Sequence, residues 1–71
     1  MARTPEYQRI VDDITAQIDA GRLRPGDQIP SGSELRRQYG VSSQPVRIAM
    51  AILRERGRIE GRQGLGVFVI A

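Results

Sequence analysis

Residues 31–47 read SGSELRRQYGVSSQPVR, and this stretch decides the fold. Ser31 and Glu34 have the spacing of a capping box, which predicts that a helix starts at this serine. Leu35 is predicted to face the core. Gly40 is predicted to end the helix, because glycine adopts the left-handed conformation without steric penalty. The stretch therefore begins with a short helix.

A second helix is predicted only two residues after that glycine. Ser42 is placed to cap it, and Pro45 is tolerated in its first turn, where the amide has no helical partner. Gly57 is predicted to end it. Its core-facing residues recur at helical spacing and are Val46, Ala49, Met50 and Leu53. Two short helices joined by such a tight turn form a helix-turn-helix, whose second helix usually enters the major groove of DNA.

The residues before this motif predict an earlier helix and a short extended piece. Thr4 is the predicted N-cap with Pro5 at the first helical position, and Gly21 is the predicted C-cap. The inward-facing residues of this helix form one apolar stripe and are Tyr7, Ile10, Val11, Ile14 and Ile18. Residues 24–27, RPGD, predict a type II turn. Residues 27–30 are predicted to be extended, because the residue before a proline avoids the α region.

The residues after the motif predict a β-hairpin. Residues 58–62 and 67–70 are β-type runs, and they flank a glycine-rich turn at residues 63–66. The predicted fold class is α+β, mostly α. It is a winged helix-turn-helix with three helices, a C-terminal hairpin wing and a short extended segment before the second helix. We expect residues 1–71 to form one DNA-binding domain.

Composition narrows the function classes. The 71 residues include no cysteine and no histidine, so the chain has no thiolate, no imidazole metal ligand and no histidine general base. We therefore predict that the protein is not an enzyme and has no catalytic residues, metal site or cofactor. No apolar run approaches the length of a membrane span, and we expect a cytoplasmic, nucleoid-associated protein without membrane contact.

The positive charge is concentrated in the second half of the chain. Four arginines and six acids give residues 1–35 a charge of −2, whereas seven arginines and two acids give residues 36–71 a charge of +5. A polyanion is expected to dock on the basic half.

A set of residues between Tyr7 and Val69 has the order and spacing of one regulator family. The set consists of Ile14, Ile18, Gly21, residues 23–27, Pro30, Ser31, Glu34, Leu35, residues 39–42, Val46, Arg47, Ala49, Leu53, Gly57, Ile59, Glu60, Gly64, Gly66, Phe68 and Val69. On these residues the chain resembles the gluconate-repressor (GntR) family of bacterial transcriptional regulators. The resemblance implies a domain that binds duplex DNA as a homodimer on a palindromic operator. The helix from Ser42 would read the major groove, and the wing would approach the minor groove.

The predicted DNA-binding residues combine helix starts, arginines and the wing. A helix N-terminus favours phosphate, Arg47 lies one turn further along in reach of a base or a phosphate, and Arg62 flanks a wing whose glycines permit close approach to DNA. The full set is Ser31, Ser33, Arg36, Arg37, Ser42, Ser43, Gln44, Arg47, Arg62, Gln63, Gly64, Leu65 and Gly66.

The chain departs from the family pattern at several of these positions. The family often has arginine at the places of Ser33, Ser43 and Leu65, and threonine at the place of Pro45, so the family's operator preference does not carry over. We expect Arg36 and Arg37 to compensate in part for the missing phosphate contacts. The family normally has a C-terminal effector domain. The chain ends after the wing, so we expect either an N-terminal fragment or a naturally minimal protein.

Ile48 and Ile52 add apolar residues to the third helix where the family usually has polar ones. Two interpretations stay open: this face binds a protein partner, or it widens the core under the first helix. Two other function classes also stay open. One is a winged-helix protein-interaction module, and the other is an architectural or recombination factor that bends DNA.

Overall fold

The computed structural model describes residues 4–71. Three helices are followed by two strands: α1 (Glu6–Asp19), α2 (Gly32–Tyr39), α3 (Ser43–Glu55), β1 (Ile59–Arg62) and β2 (Gly66–Val69). The order confirms the predicted three helices and hairpin. No helix within these described residues is long and apolar enough to cross a bilayer.

The start of α1 differs from the prediction, and its end agrees. Pro5, with φ −57° and ψ 149°, is the N-cap, and the helix begins one residue later at Glu6. The prediction of Thr4 as N-cap is therefore wrong. The Pro5 carbonyl accepts hydrogen bonds from the amides of Gln8 and Arg9 at 3.0 and 3.2 Å, so the extended proline already serves as the boundary residue. Ala20 is the C-cap of α1, and Gly21 directly after it has the predicted left-handed conformation, with φ +77°.

The capping box that starts α2 is present. The Ser31 amide donates to Glu34 Oε1, and the Glu34 amide donates to Ser31 Oγ, both at 3.2 Å. The backbone hydrogen bond from Ser31, together with the one involving its side chain, lowers the pKa of the Glu34 carboxyl. Gly40 ends the helix at φ +65°, and the Val41 amide closes the cap on the Arg36 carbonyl. The helix therefore has both of its predicted caps.

The hairpin has an additional partner along one edge. β1 and β2 are antiparallel, with Ile59 opposite Val69. On the other side of β2, the Gly26 amide donates to the Val69 carbonyl at 2.8 Å and the Ile29 amide donates to the Val67 carbonyl at 2.9 Å. The predicted extended piece thus pairs with β2, which lies between two neighbours.

The core lies mainly between α1 and α3 and is closed at one end by the hairpin and the extended piece. The buried apolar residues are Ile10, Val11, Ile14, Ile18, Ile29, Leu35, Val46, Ala49, Met50, Leu53, Ile59 and Val69. The predicted stripes of both long helices are in this set, except Tyr7, which packs against it half-buried. Because α3 buries only this stripe, its first turn and the outer face of α2 stay exposed to solvent.

Candidate nucleic-acid interface

Exposure to solvent is the first requirement for contact with DNA. Every predicted contact residue meets it: Ser31, Ser33, Arg36, Arg37, Ser42, Ser43, Gln44, Arg47, Arg62, Gln63, Gly64, Leu65 and Gly66 are all exposed. The structure nevertheless divides these residues among different surfaces.

A shallow groove of about 220 Å³ runs between α2 and the start of α3. Ser33 and Arg36 line it from α2, and Ser43 and Arg47 line it from α3. A Cβ at Gly32 of α2 would lie 3.9 Å from Val46 Cγ1, an ordinary van der Waals contact, so the two helices pack closely beneath the groove. We call these four lining residues the α2–α3 groove. It unites four residues that the sequence analysis proposed separately.

The arginines around the α2–α3 groove form no salt bridge with any of the described residues. Within residues 4–71 the salt bridges are Arg58 with Asp19 and Arg62 with Glu60, so Arg36, Arg37 and Arg47 belong to neither. Arg36 and Arg37 also line a neighbouring depression on the outer face of α2. Three guanidinium groups are therefore available to an external anion, and the planar fork of each suits a phosphate.

The two serines that start helices differ in what their hydroxyls do. Ser31 is committed to its capping box. Ser42 occupies the N-cap position of α3 with φ −76° and ψ 179°, but its side chain makes no cap hydrogen bond. The prediction of Ser42 as N-cap is thus confirmed for the backbone only. The start of α3 retains the positive end of its dipole without a side-chain acceptor from Ser42, which favours an incoming anion.

Gln44 faces a different surface from Ser43 and Arg47. It lines a second concavity, of about 380 Å³, together with Ile48 and the beginning of α1 at Pro5 and Tyr7. Residues four apart share a helix face, so Gln44 pairs with Ile48 just as Ser43 pairs with Arg47. The exposed surface of α3 is therefore split into a basic face toward α2 and a more apolar face toward α1.

The two isoleucines of α3 have different environments. Ile52 is half-buried and packs against the core, as the wider-core interpretation expects. Ile48 is 38 % exposed. That this face binds a protein partner stays a prediction.

The cation of the wing has partners within the hairpin. Arg62 Nε lies 3.0 Å from Glu60 Oε2, and the guanidinium carbon lies 4.7 Å from the centre of the Phe68 ring. Residues 63–65 form the turn, and Leu65 at the tip is 66 % exposed. The wing therefore presents backbone and an apolar side chain rather than a free positive charge.

Two polar contacts of this region were missed by sequence reasoning. Gln28 Nε2 donates to the Leu65 carbonyl at 3.1 Å, and the Tyr39 hydroxyl donates to Asp13 Oδ2 at 2.7 Å. Burial and the Asp13 carboxylate raise the pKa of Tyr39 to about 12. These pairs are 37 and 26 residues apart, and no local pattern indicates such contacts.

Comparison with known proteins gives a family match over nearly the whole domain. Residues 6–69 match the family described as bacterial regulatory proteins, gntR family. The mannosyl-D-glycerate transport/metabolism system repressor MngR of Escherichia coli K12 is 42 % identical over 97 % of the chain and 29 % of the relative. The histidine utilization repressor of Klebsiella aerogenes is 37 % identical over 96 % of the chain and 28 % of the relative. The chain thus spans less than a third of these relatives.

Solved structures share the fold. AraR(DBD) in complex with operator ORR3 has a TM-score of 0.90 at 34 % identity, covering 96 % of this chain and 82 % of that one. A GntR family transcriptional regulator from Listeria monocytogenes has a TM-score of 0.89 at 28 % identity, covering 99 % of this chain and 61 % of that one. The winged helix-turn-helix prediction is confirmed.

Proposed function

The chain belongs to the gntR family of bacterial regulatory proteins, and from this premise we propose that its α2–α3 groove binds duplex DNA in transcriptional control. In this proposal α3 enters the major groove, and the wing at residues 63–66 approaches the minor groove. The relative crystallised with operator DNA has the same fold, which supports this docking.

One observation carries the proposal: Arg36 and Arg47 flank a groove at an uncapped helix start, and neither has an acidic partner within residues 4–71. A guanidinium without an internal salt bridge can bind a phosphate or a guanine edge without first losing a carboxylate partner. The adjacent N-terminus of α3 attracts the same anion through its amides and dipole.

Assembly and location follow from the same proposal. One domain of this kind buries about 600–1,000 Å² on DNA, and a second copy supplies the remaining contact area and specificity. We therefore propose binding as a homodimer to a palindromic operator, in the cytoplasm at the nucleoid. Full-length relatives extend well beyond the region matched by this chain, and any effector belongs to the whole protein.

An amide NMR titration of the 71-residue chain with a generic duplex at low salt tests the DNA contact. Shifts should concentrate at residues 36, 42–47 and 63–66 and fade as salt is raised, because counterion release drives the binding. A spectrum that stays unchanged with excess duplex would overturn the proposal. Equal affinity for all duplexes, including operator-like palindromes, would instead indicate an architectural factor.

A matched pair of variants on α3 sharpens that test. Arg47→Ala should reduce affinity about tenfold, and the negative slope of log affinity against log salt should become shallower by about 0.9, because one anion contact is lost. Arg54→Ala removes another exposed arginine, from the last turn of the same helix. Its affinity should stay near that of the unaltered chain. Equal losses in both variants would show that charge alone, and not the groove, drives binding.

A further inference from the structure

The extended piece before α2 reaches across to the tip of the wing. Gln28 forms a β-bridge with Phe68, and its side-chain Nε2 donates to the Leu65 carbonyl at 3.1 Å. Leu65 lies in the turn at the end of the hairpin. The contact therefore joins a residue just upstream of the helix-turn-helix to the part of the wing farthest from the core.

Gly66 gives the Gln28 side chain its room. A Cβ at Gly66 would overlap Gln28 Nε2 and lie 3.3 Å from its Cδ. The residue also has φ +125°, a conformation that favours glycine. The backbone angle therefore favours glycine, and any side chain at this position would displace the Gln28 amide.

Gln28 lies next to a buried residue of the core, whereas the strands of the wing are short. Ile29, next to Gln28, is only 2 % exposed, and Ser31 two residues later caps α2. The hairpin has just four residues in each strand, a size at which an isolated hairpin is marginal in water. Within its turn the Leu65 amide donates to the Arg62 carbonyl at 3.0 Å. A side chain anchored beside the core can therefore restrict the motion of the wing tip.

We propose that Gln28 is a positioning residue that fixes the wing tip relative to the helix-turn-helix and so raises the affinity for duplex DNA without touching the DNA. The proposal rests on the proposed function for its effect on affinity. Its physical basis is that a wing held in place before binding loses less conformational entropy when it meets the minor groove.

Gln28→Met tests the proposal, because methionine has a similar length and no N–H donor. In the free domain, ¹⁵N order parameters at residues 64–66 should fall from about 0.85 toward 0.6. Affinity for duplex DNA should fall about threefold to tenfold, as expected for one net hydrogen bond, with the salt slope unchanged. Gln38→Met, at an exposed position on α2, is the matched control and should change neither measurement.

A double-mutant cycle with Gly66→Ala separates the two roles of that glycine. In the unaltered chain the new Cβ displaces the Gln28 amide and breaks its hydrogen bond to Leu65, whereas in the Gln28→Met chain there is no such bond to lose and the methionine can move aside. The loss from Gly66→Ala should therefore be smaller in the Gln28→Met background.

Two results would overturn the proposal. One is a wing that stays equally rigid in Gln28→Met, and the other is strict additivity of the two variants. A loss of affinity with unchanged wing dynamics would identify Gln28 as a direct DNA contact instead. If the unaltered chain binds no DNA, the proposed function fails, and the relaxation data taken without DNA still decide whether Gln28 holds the wing.

Discussion

The α2–α3 groove and the wing both have exposed arginines, but the arginines of the two regions are in opposite situations. Arg36 and Arg47 flank the groove without a salt bridge in the described part of the chain. Arg62 in the wing is paired with Glu60 and stacked on Phe68. The Glu60 carboxylate partly neutralises the charge of Arg62, so this arginine attracts a phosphate less strongly than an arginine without a salt bridge. A count of positive charges therefore overstates how much free charge the wing offers to an anion.

Removing one arginine from each region should have the largest effect on affinity for duplex DNA and tests the difference directly. Arg36→Ala should weaken duplex binding about fivefold to tenfold at low salt, because a cation without a salt bridge is lost. The negative slope of log affinity against log salt should become shallower by about 0.9. Arg62→Ala should weaken binding about twofold or less, with little change in the salt dependence. The reason is that Glu60 already neutralises part of the charge of Arg62 in the free protein. Fluorescence anisotropy at four salt concentrations measures both.

Glu60→Gln is the reciprocal variant for the same comparison. Glu60→Gln removes the carboxylate that pairs with Arg62, so Arg62 becomes free to bind a phosphate. The negative slope of log affinity against log salt should then become steeper, by up to about 0.9. Equal slopes for Arg36→Ala and Arg62→Ala would show that the pairing in the wing does not restrain Arg62.

A second prediction compares the starts of the two helices that form the groove. Ser31→Ala removes a capping hydrogen bond and should lower the free energy of unfolding by about 1 kcal/mol. Ser42→Ala should change it by less than about 0.5 kcal/mol, because that hydroxyl makes no cap hydrogen bond. Urea unfolding followed by circular dichroism measures both variants. Equal destabilisation would contradict the difference between the two caps.

The smallest expected effect concerns the tie between α2 and α1. The Tyr39 hydroxyl donates to Asp13, and the pKa of Tyr39 is raised from 10.0 to about 12. A raised pKa means that the folded state holds the proton more tightly than the unfolded state. The stability from this link is therefore complete below about pH 10 and is lost as pH rises toward about 12.

Tyr39→Phe tests that link. It should lower the free energy of unfolding at neutral pH by about 0.5 kcal/mol and flatten the decline in alkaline solution. Urea midpoints between pH 8 and pH 12 measure the difference between the two proteins. Tyr7 is present in both, so the difference isolates Tyr39. Parallel pH curves for the two proteins would rule out the contribution of Tyr39.

Sequence reasoning succeeded where the physical signal is local. The capping box at Ser31, the left-handed glycines at Gly21 and Gly40, and the helical stripes depend on residues a few positions apart, and all are confirmed. The boundary at Thr4 failed by one residue, because proline can occupy the N-cap as well as the first helical position.

The candidate site was less accessible to the same reasoning. Gln28 and Leu65 meet only after α2, α3 and β1 are in place, and no periodicity carries that information. The division of α3 into two faces depends on where α1 and α2 pack. The pairing of Arg62 with Glu60 does have a local signal in the sequence, because residues two apart on a strand share a face.

The bridge between Gln28 and Phe68 also has a consequence for the order of folding. This bridge closes a loop of about 40 residues that contains both helices of the helix-turn-helix. Closing so long a loop costs conformational entropy, and that cost is offset only after the two helices have packed on α1. The wing tip and its contact with Gln28 are therefore the last part of the fold to form and the first to open. Native-state hydrogen exchange should find the lowest opening free energies at residues 65–67, with Ile29, α1 and α3 still closed.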